Sequence, residues 1–273
     1  MSLTAHRPTT RDVGELLRDW RHRRRLSQLD LALGAEVSAR HLSFVETGRS
    51  KPSRELLLHL AEHLEVPLRD RNALLVAAGY APMFAETSLD DGAMAPVRDA
   101  LGHILAGHEP FPAVVVDYRW DVVSANRPAL GILSEGVAPD LLEPPVNALR
   151  VTLHPDGLAP RIGNLGEYSA HLLMRLRRHE IVAPDPAIST LLEELRGYPG
   201  VEEAASAAVD PAELLFVPLR LLGPGDQELT FFSTLATFGT ALDITLAELA
   251  IEQFFPADRA TEQALRATFT PAD

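Results

Sequence analysis

Residues 26–49 read LSQLDLALGAEVSARHLSFVETGR, and this stretch decides the fold of the N-terminal part of the chain. Ser27 and Ser38 each precede a run with helical spacing, which is the position of an N-cap, and Gly48 stands where a helix stops. The pattern predicts one helix from Ser27 to about Gly34 and a second from Ser38 to just before Gly48. Two short helices joined by a tight turn are typical of a helix-turn-helix.

Three further helices are expected around this pair. Apolar residues spaced i, i+3, i+4 and i+7 form one stripe in each of two flanking segments, namely Val13, Leu16, Leu17 and Trp20, and Leu57, Leu60, Ala61 and Leu64. Thr10 is the expected cap of the first helix, and a fifth helix is expected over about 69–78, ending at Gly79. Residues 1–80 therefore predict a five-helix domain, called the head below.

The head resembles the Cro/repressor (XRE) family of DNA-binding domains. The resemblance is carried by Leu26-Ser27-Gln28, Leu31-Ala32, Val37-Ser38, Leu42, Val45-Glu46-Thr47-Gly48-Arg49 and Pro52-Ser53. One position departs from the family: the residue before the turn valine is usually Gly, and here it is Glu36. If the backbone of Glu36 has positive φ, the departure costs about 1 kcal/mol relative to Gly.

The resemblance implies which residues meet DNA. The second helix of such a motif lies in the major groove and presents its N-terminal residues to base edges, where Arg can pair with guanine and Ala can contact a thymine methyl group. Residues at the start of the first helix and after the second are expected to hold phosphates. The expected DNA-binding set is Gln28, Ser38, Ala39, Arg40, His41, Ser43, Phe44, Arg49, Ser50 and Lys51. Phe44 is equally compatible with packing inside the domain.

Charge is divided unevenly along the 273 residues, whose formal net charge is −13. Residues 1–80 hold 13 Lys and Arg against 10 Asp and Glu, or +3, and the remainder holds 12 against 28, or −16. A basic head on an acidic remainder favours two separate domains, so the acidic total does not exclude nucleic-acid binding.

Absence of cysteine excludes disulfides and thiolate zinc sites, and it fits a reducing compartment.

We expect a soluble, cytoplasmic protein without a cofactor or metal. The N-terminus lacks the apolar run of a signal peptide, and the longest uncharged run, 229–242, is too short and polar to span a bilayer. His59 and His63 flank Glu62 in the H-x-x-E-H spacing of some zinc proteases. Because Leu60 and Leu64 are needed for the core of the head, we interpret this pattern as an exposed helix face.

After a linker over 81–95, residues 96–273 predict a second domain, called the body below. Segments 112–117 and 120–125 have the spacing of a β-hairpin, and helices are expected over 165–179 and 186–198. Three strands then follow, over 214–222, 228–238 and 244–255, although Glu248 and Glu252 leave a helix open for the last segment. This order predicts a PAS-like domain with an antiparallel sheet and flanking helices folded over one face, and an α+β class for the whole chain.

The whole chain also resembles the MmyB-like transcription regulators. The motifs that carry this resemblance are 38–50, 71–82, Leu153-His-Pro-Asp-Gly-Leu-Ala-Pro160, Phe232-Ser-Thr and Phe254-Phe-Pro-Ala-Asp258. The resemblance implies a small-molecule sensor with a PAS-like ligand-binding domain, for which an apolar, fatty-acid-like ligand is the expectation. Candidate ligand-binding residues are Trp120, Tyr168, Arg175, Phe216, Phe231 and Phe238. The aromatic residues at these positions are also compatible with simple core packing. Arg175 is also compatible with an exposed, solvated charge on a helix.

The leading hypothesis is a ligand-responsive transcription regulator that binds an inverted repeat in double-stranded DNA as a homodimer. One alternative is a head fused to a body that binds a protein partner. The other is a head fused to an enzyme, which the sequence favours less because the body has no P-loop, G-x-G-x-x-G, G-x-S-x-G or metal-ligand spacing. We therefore expect a regulator rather than an enzyme.

Overall fold

The computed structural model describes residues 12–201, 217–223 and 227–269, and these form two compact units. The first unit runs as far as Glu86 and includes Leu242–Ile244, and the second comprises Thr87–Ala241 and the residues after Ile244. Each unit has its own hydrophobic core.

The head is formed by five helices: α1 (Val13–Arg23), α2 (Gln28–Gly34), α3 (Ala39–Glu46), α4 (Arg54–His63) and α5 (Leu68–Ala77). The side chains of Ser27, Ser38 and Ser53 accept hydrogen bonds from the backbone of α2, α3 and α4, which confirms the helix-turn-helix predicted from these caps. The cap of α1 is Asp12, whose Oδ1 accepts from the Gly14 N–H at 3.1 Å. The predicted cap, Thr10, lies outside the described residues.

All five helices of the head end in the same backbone arrangement. The residue after each C-cap has positive φ, and these residues are Arg25, Glu36, Gly48, Glu65 and Gly79. The next N–H then bonds the carbonyl five residues earlier, as in Val37 N to Ala32 O at 2.9 Å. This is the Schellman motif, which satisfies carbonyls that the helix leaves unpaired. Three of the five positions therefore hold a residue with a Cβ in the left-handed region.

Replacing one of these residues by glycine is expected to stabilise the head. Glu36 has a φ of 52° and is exposed, so Glu36→Gly removes backbone strain without removing packing. We expect a gain of about 0.5–1 kcal/mol in the free energy of unfolding, measured by urea denaturation. The matched opposite change is Gly79→Ala, at a φ of 80°, which should destabilise the head by a similar amount. An unchanged or lower stability of Glu36→Gly would contradict the assignment of strain.

The body contains a five-stranded sheet with helices around it. Its helices are α6 (Ala95–His108), α7 (Arg127–Ser134), α8 (Ala148–Leu153), α9 (Leu165–Val182), α10 (Pro186–Arg196), α11 (Ile244–Ala247) and α12 (Arg259–Phe269). Its strands are β1 (Ala113–Val116), β2 (Val122–Ala125), β3 (Leu219–Leu222), β4 (Glu228–Thr237) and β5 (Ala250–Pro256). All neighbouring strands are antiparallel, in the order β2-β1-β5-β4-β3. The predicted α+β class is confirmed.

Helices pack on both faces of strand β1, which corrects the expectation of helices over one face. In β1, Val114 and Val116 join the main core of the body, whereas Ala113 and Val115 pack in a smaller cluster with Leu101 and Leu105 of α6. Because successive side chains of a strand point to opposite faces, α6 must lie on the face opposite the main core. Burial on both faces also explains why β1 consists of apolar residues without alternation.

Two features of the C-terminal segment differ from the sequence prediction. The segment expected as one strand over 244–255 is a single helical turn, α11, followed by β5. The terminal helix α12 was not predicted, although its Leu265 is 1% exposed and packs in the main core. Thr261 of α12 also accepts a hydrogen bond at its Oγ1 from the Thr230 N–H of β4, at 3.0 Å. Helix α12 therefore packs against the sheet of the body.

Candidate functional site

The position of α3 is fixed by a buried ion pair between α1 and α3. The guanidinium of Arg21 donates to both carboxylate oxygens of Glu46, through Nε at 2.7 Å and Nη2 at 2.9 Å. Its Nη1 donates to the Leu26 carbonyl at 2.9 Å, and Gln28 of α2 donates to Glu46 Oε2 at 2.7 Å. The Glu46 side chain is fully buried, at 0% exposure. One carboxylate thus holds three helices of the head together.

This network sets the ionisation of Glu46. Burial acts to raise the pKa of the Glu46 carboxyl, but the hydrogen bonds from Arg21 and Gln28 and the charge of Arg21 outweigh it, so the pKa lies below its usual range. The pKa of Arg21 is raised, mainly by its hydrogen bonds to Glu46. Both groups therefore stay charged at neutral pH. A buried charge is tolerated when it has a partner of opposite charge, and here each group provides one for the other.

The N-terminal part of α3 presents its side chains to solvent. Ser38 accepts from the His41 N–H and caps the helix, while Arg40 and His41 are exposed. Phe44, one turn later, is half-buried, and the Arg40 guanidinium lies 5.4 Å from its ring centroid. The half-buried Phe44 ring thus lies against the Arg40 guanidinium, a cation–π contact worth about 0.5–1 kcal/mol at an exposed site.

The segment after α3 carries the next basic side chains. The N–H groups of Arg49 and Ser50 both bond the Phe44 carbonyl, at 2.8 and 3.1 Å, which ties this segment to the end of α3. Lys51 is exposed, and its Nζ lies 5.0 Å from the centroid of the Tyr80 ring. These cations stand beside the exposed side chains of α3, where backbone phosphates would lie against a helix in the major groove.

Two sequence expectations in the head involve side chains with partners inside the protein. The side-chain amide of Gln28, which the sequence analysis expected near a phosphate, donates one hydrogen bond to Glu46. In the H-x-x-E-H segment, His59 Nε2 lies 2.8 Å from the Ala35 carbonyl and the His59 and His63 rings meet edge to face at 4.7 Å. Among the described residues no group of three His, Cys, Asp or Glu could hold a metal.

The body contains a cavity between one face of the sheet and α7, α8 and α9. Its volume is about 70 Å³. Apolar side chains form most of the wall, among them Val114 of β1, Leu149 of α8, Leu172 of α9 and Phe254 of β5. A concave, mostly apolar space is typical of a small-molecule site.

Trp120 reaches this cavity from the turn between β1 and β2. Asp117 Oδ1 accepts from the N–H groups of Arg119 and Asp121, at 2.8 and 2.9 Å, and closes the turn. Burial raises the pKa of Asp117 against these hydrogen bonds. Trp120 itself has a φ of 67°, a strained value for a bulky residue, and its ring lies 4.8 Å from the Arg175 guanidinium. The strained turn thus aims an aromatic side chain into the cavity wall.

The structure brings some of the candidate ligand-binding residues together and separates others. Trp120, Tyr168 and Phe231 line the cavity. Phe238 does not, because it follows β4 and packs in the cluster on the opposite face of the sheet with α6. Arg175 is not among the residues of the wall either; its guanidinium lies against the Trp120 ring and is paired with Glu252. Phe216 lies outside the described residues.

Glu252 of β5 is a wall residue that the sequence analysis did not select. Its Oε1 accepts from Arg175 Nη1 and from the Ser233 hydroxyl, both at 2.9 Å. Its side chain is 8% exposed, whereas that of Arg175 is 20% exposed. The sequence contained a pattern that could have identified Glu252: the strand Ala250–Pro256 carries one acidic residue, on the face it shares with Phe254. A charge on the inner face of a buried strand needs a partner and indicates a site.

The helix-turn-helix geometry of the head and the ligand-type cavity of the body define a DNA-binding regulator with a sensing domain. Comparison with protein families matches residues 12–74 to a helix-turn-helix domain and residues 97–267 to the MmyB-like transcription regulator ligand binding domain. The second match covers more than half of the chain, and the protein belongs to this family. This family comprises the ligand-binding domains of transcription regulators, and in this chain the domain follows a helix-turn-helix domain.

The other comparisons add little to this assignment. No curated protein matches the sequence. One solved structure, described as an RNA-binding Light-Oxygen-Voltage receptor, is 12% identical with a TM-score of 0.24, a likeness that covers 94% of this chain and 62% of that chain. The chain thus spans less than two thirds of that protein, and so low a score supports no argument. No helix among the described residues is both long enough and apolar enough to cross a membrane.

Proposed function

We propose that the protein acts as a homodimer that recognises an inverted repeat through α3 and responds to an apolar small molecule held in the body. The observation that carries this proposal is the exposed face of α3, with Arg40 supported by Phe44 and followed by Lys51. A rigid helix that presents an Arg beside phosphate-binding cations is what direct readout in a major groove needs.

Homodimerisation follows from how such heads read DNA. One short helix contacts only a few base pairs, so useful specificity needs two half-sites about 34 Å apart, one turn of the duplex. The charge distribution supports DNA binding by the head and dimer contacts by the body, because residues 1–80 carry +3 and the remainder carries −16. Like-charge repulsion keeps the acidic body off the phosphates, which leaves its surfaces available for dimer contacts.

A fatty-acid-like tail is the ligand chemistry that the cavity supports best. Its wall is apolar apart from Glu252, Thr152 and the polar atoms of Trp120 and Tyr168, and Thr152 already donates to the Ala148 carbonyl at 2.7 Å. We assign the cavity no catalytic role, because the family match is to a ligand-binding domain of transcription regulators. Binding of a protein partner has no specific observation in its favour.

Titration of fluorescent promoter DNA with the full-length protein tests the proposal. We expect the affinity for a cognate inverted repeat to exceed that for a scrambled duplex by at least about 1000-fold, and to fall steeply with salt as counterions are released. Saturation with dodecanol, an apolar probe of the cavity, is expected to shift the DNA affinity and raise the melting temperature of the protein. If the affinity for DNA were the same for the cognate and scrambled duplexes, or did not fall with salt concentration, the proposed DNA recognition would be wrong.

A further inference from the structure

The connection between β4 and β5 belongs to the first unit, although both strands belong to the second. Its residues Leu242–Ile244 are grouped with the chain up to Glu86. Asp243 pairs with Ala85 in a parallel bridge, and the Ile244 N–H donates to the Ala85 carbonyl at 2.8 Å. The side chain of Ile244 is buried. This connection is therefore fixed to the backbone just after the head.

The segment that pairs with this connection is itself held on α5. The side-chain amide of Asn72 accepts from the Met83 and Phe84 N–H groups, at 2.8 and 3.1 Å, and donates to the Phe84 carbonyl at 2.7 Å. Arg69, one turn earlier on α5, donates to both carboxylate oxygens of Glu86, at 3.0 and 2.6 Å. Because an exposed ion pair of this kind contributes little, Asn72 is the main anchor of the segment.

The strands on either side of the connection form part of the cavity wall. Phe231 of β4 and both Glu252 and Phe254 of β5 line the cavity. The two strands are paired along the whole of β5, as far as Thr237 opposite Ala250. Since paired strands share a ladder of hydrogen bonds, a shift of one strand is passed to the other. A ligand that displaces this part of the wall therefore displaces both ends of the connection.

Between the connection and β5 the chain is packed and hydrogen-bonded. Ile244 begins α11, and the Leu249 N–H then bonds the Leu246 carbonyl. Both leucines pack in the cluster that includes Ile251 of β5. A close-packed element transmits a displacement instead of absorbing it. A change in β5 therefore reaches the hydrogen bond between Ile244 and Ala85.

We infer that the connection Leu242–Ile244 couples occupancy of the cavity to the DNA-binding head, through its pairing with Ala85 and the anchor of that segment on α5. Helix α5 belongs to the core of the head, where Leu74 and Leu75 are buried. This inference rests on the proposed function and adds the route by which a bound ligand alters DNA affinity. The bond from Ile244 to Ala85, made or broken, gives the ligand two states to distinguish. Because coupling between two binding sites is reciprocal, DNA on the head must also change the connection.

Hydrogen–deuterium exchange of the full-length protein tests the contact without any ligand. Asn72→Ala removes all three bonds of the anchor, so peptides covering 83–86 and 242–249 should both exchange at least about tenfold faster. Val76→Ala, an exposed change on the same helix, should leave both peptides unchanged. If residues 242–249 exchange in Asn72→Ala at the rate of the unaltered protein, the inference is wrong. If Asn72→Ala does not fold, Asn72→Asp keeps the two accepted bonds, loses the donated one, and should show the same joint change to a smaller extent.

Binding measurements test the coupling itself. Dodecanol is expected to change the DNA affinity of the unaltered protein and of Val76→Ala, whereas in Asn72→Ala the DNA affinities with and without dodecanol should agree within about twofold. The affinity of Asn72→Ala for DNA alone and for dodecanol alone should stay within about threefold of the unaltered protein. An undiminished response to dodecanol in Asn72→Ala would overturn the inference and leave the proposed function standing.

A DNA duplex of mixed sequence at low salt provides the reverse test, because such binding needs no cognate site. In the unaltered protein the bound duplex should change exchange over 242–249 by at least about fivefold, and in Asn72→Ala it should not. If dodecanol does not bind the unaltered protein, the ligand part of the proposed function fails, and the duplex still decides the inference. Exchange over 242–249 that is the same with and without the duplex would refute it.

Discussion

Replacing Glu46 by Ala is expected to destabilise the head by about 3–5 kcal/mol, because it leaves the buried Arg21 guanidinium without its counterion. The carboxylate accepts from Arg21 and Gln28 and lies in a fully buried position, so no water is available to compensate. Urea denaturation followed by far-ultraviolet circular dichroism measures the loss. DNA binding should be lost in parallel, since Glu46 fixes α3 against α1 and α2.

A double variant separates charge burial from simple packing. Arg21→Met combined with Glu46→Leu removes both charges and keeps apolar volume, so it should recover more than about half of the stability lost in Glu46→Ala. Glu62→Ala on the exposed face of α4 serves as the matched control and should change stability by less than about 0.5 kcal/mol. A small effect of Glu46→Ala, similar to that of the control, would contradict the role of the ion pair.

The same pair predicts a pH dependence with a defined sign. The folded-state pKa of Glu46 is lowered from its ordinary value of 4.5, so its contribution to stability is fully present above that value. As the pH falls below 4.5 and through the folded-state pKa, the unfolded state binds a proton first and the contribution is lost. Glu46→Gln should therefore show a flatter decline of stability in acid than the unaltered protein.

Replacing Arg40 by Ala is expected to relax DNA specificity at one base pair of each half-site. The loss of a bidentate contact to guanine should cost about 1–3 kcal/mol of discrimination there and leave the other positions unchanged. Phe44→Leu, which removes the ring beneath Arg40, should weaken the same preference by about 0.5–1 kcal/mol. A binding array with every single-base change of the half-site measures both effects.

Lys51→Ala should behave differently from Arg40→Ala because phosphates carry no sequence information. It should weaken binding to cognate and scrambled duplexes alike and reduce the slope of affinity against salt by about 1. Arg177→Ala, an exposed change on α9 in the acidic body, controls for the loss of one positive charge. If Arg40→Ala weakened all sequences equally, Arg40 would be a phosphate contact and the assignment of base readout would be wrong.

Local signals were enough to predict the head. Serine caps, glycine stops and i, i+3, i+4 spacing act within one or two helical turns, so residues such as Ser27, Ser38 and Gly48 specify their helices without distant partners. For Glu36, which stands where the resembling family usually has Gly, the φ of 52° meets the condition under which strain was expected. Thr10 was misjudged because Asp12 offers the same capping chemistry two residues nearer the helix.

The strands of the body were predictable where β-branched runs and turns stood out, as in the β1–β2 hairpin. The division of 244–255 into α11 and β5 depends on pairing with β1 and β4, which lie far away in sequence. Helix α12 was missed although its sequence has helical spacing: Leu265 and Phe269, four residues apart, both pack in the core of the body. The boundary between α11 and β5, in contrast, depends on non-local strand pairing that no local pattern specifies.

The sequence by itself determined the helix-turn-helix, because caps, stops and spacing act locally and can be read in order. Its choice of DNA-contacting residues stays a prediction. Only the tertiary structure decided the ligand site. It paired Arg175 with Glu252, placed Phe238 on the other face of the sheet and placed the Glu252 carboxylate in the wall of the cavity. The physical reason is that a cavity is formed by side chains from distant strands and helices. Which charge faces it depends on their packing and not on their order in the chain.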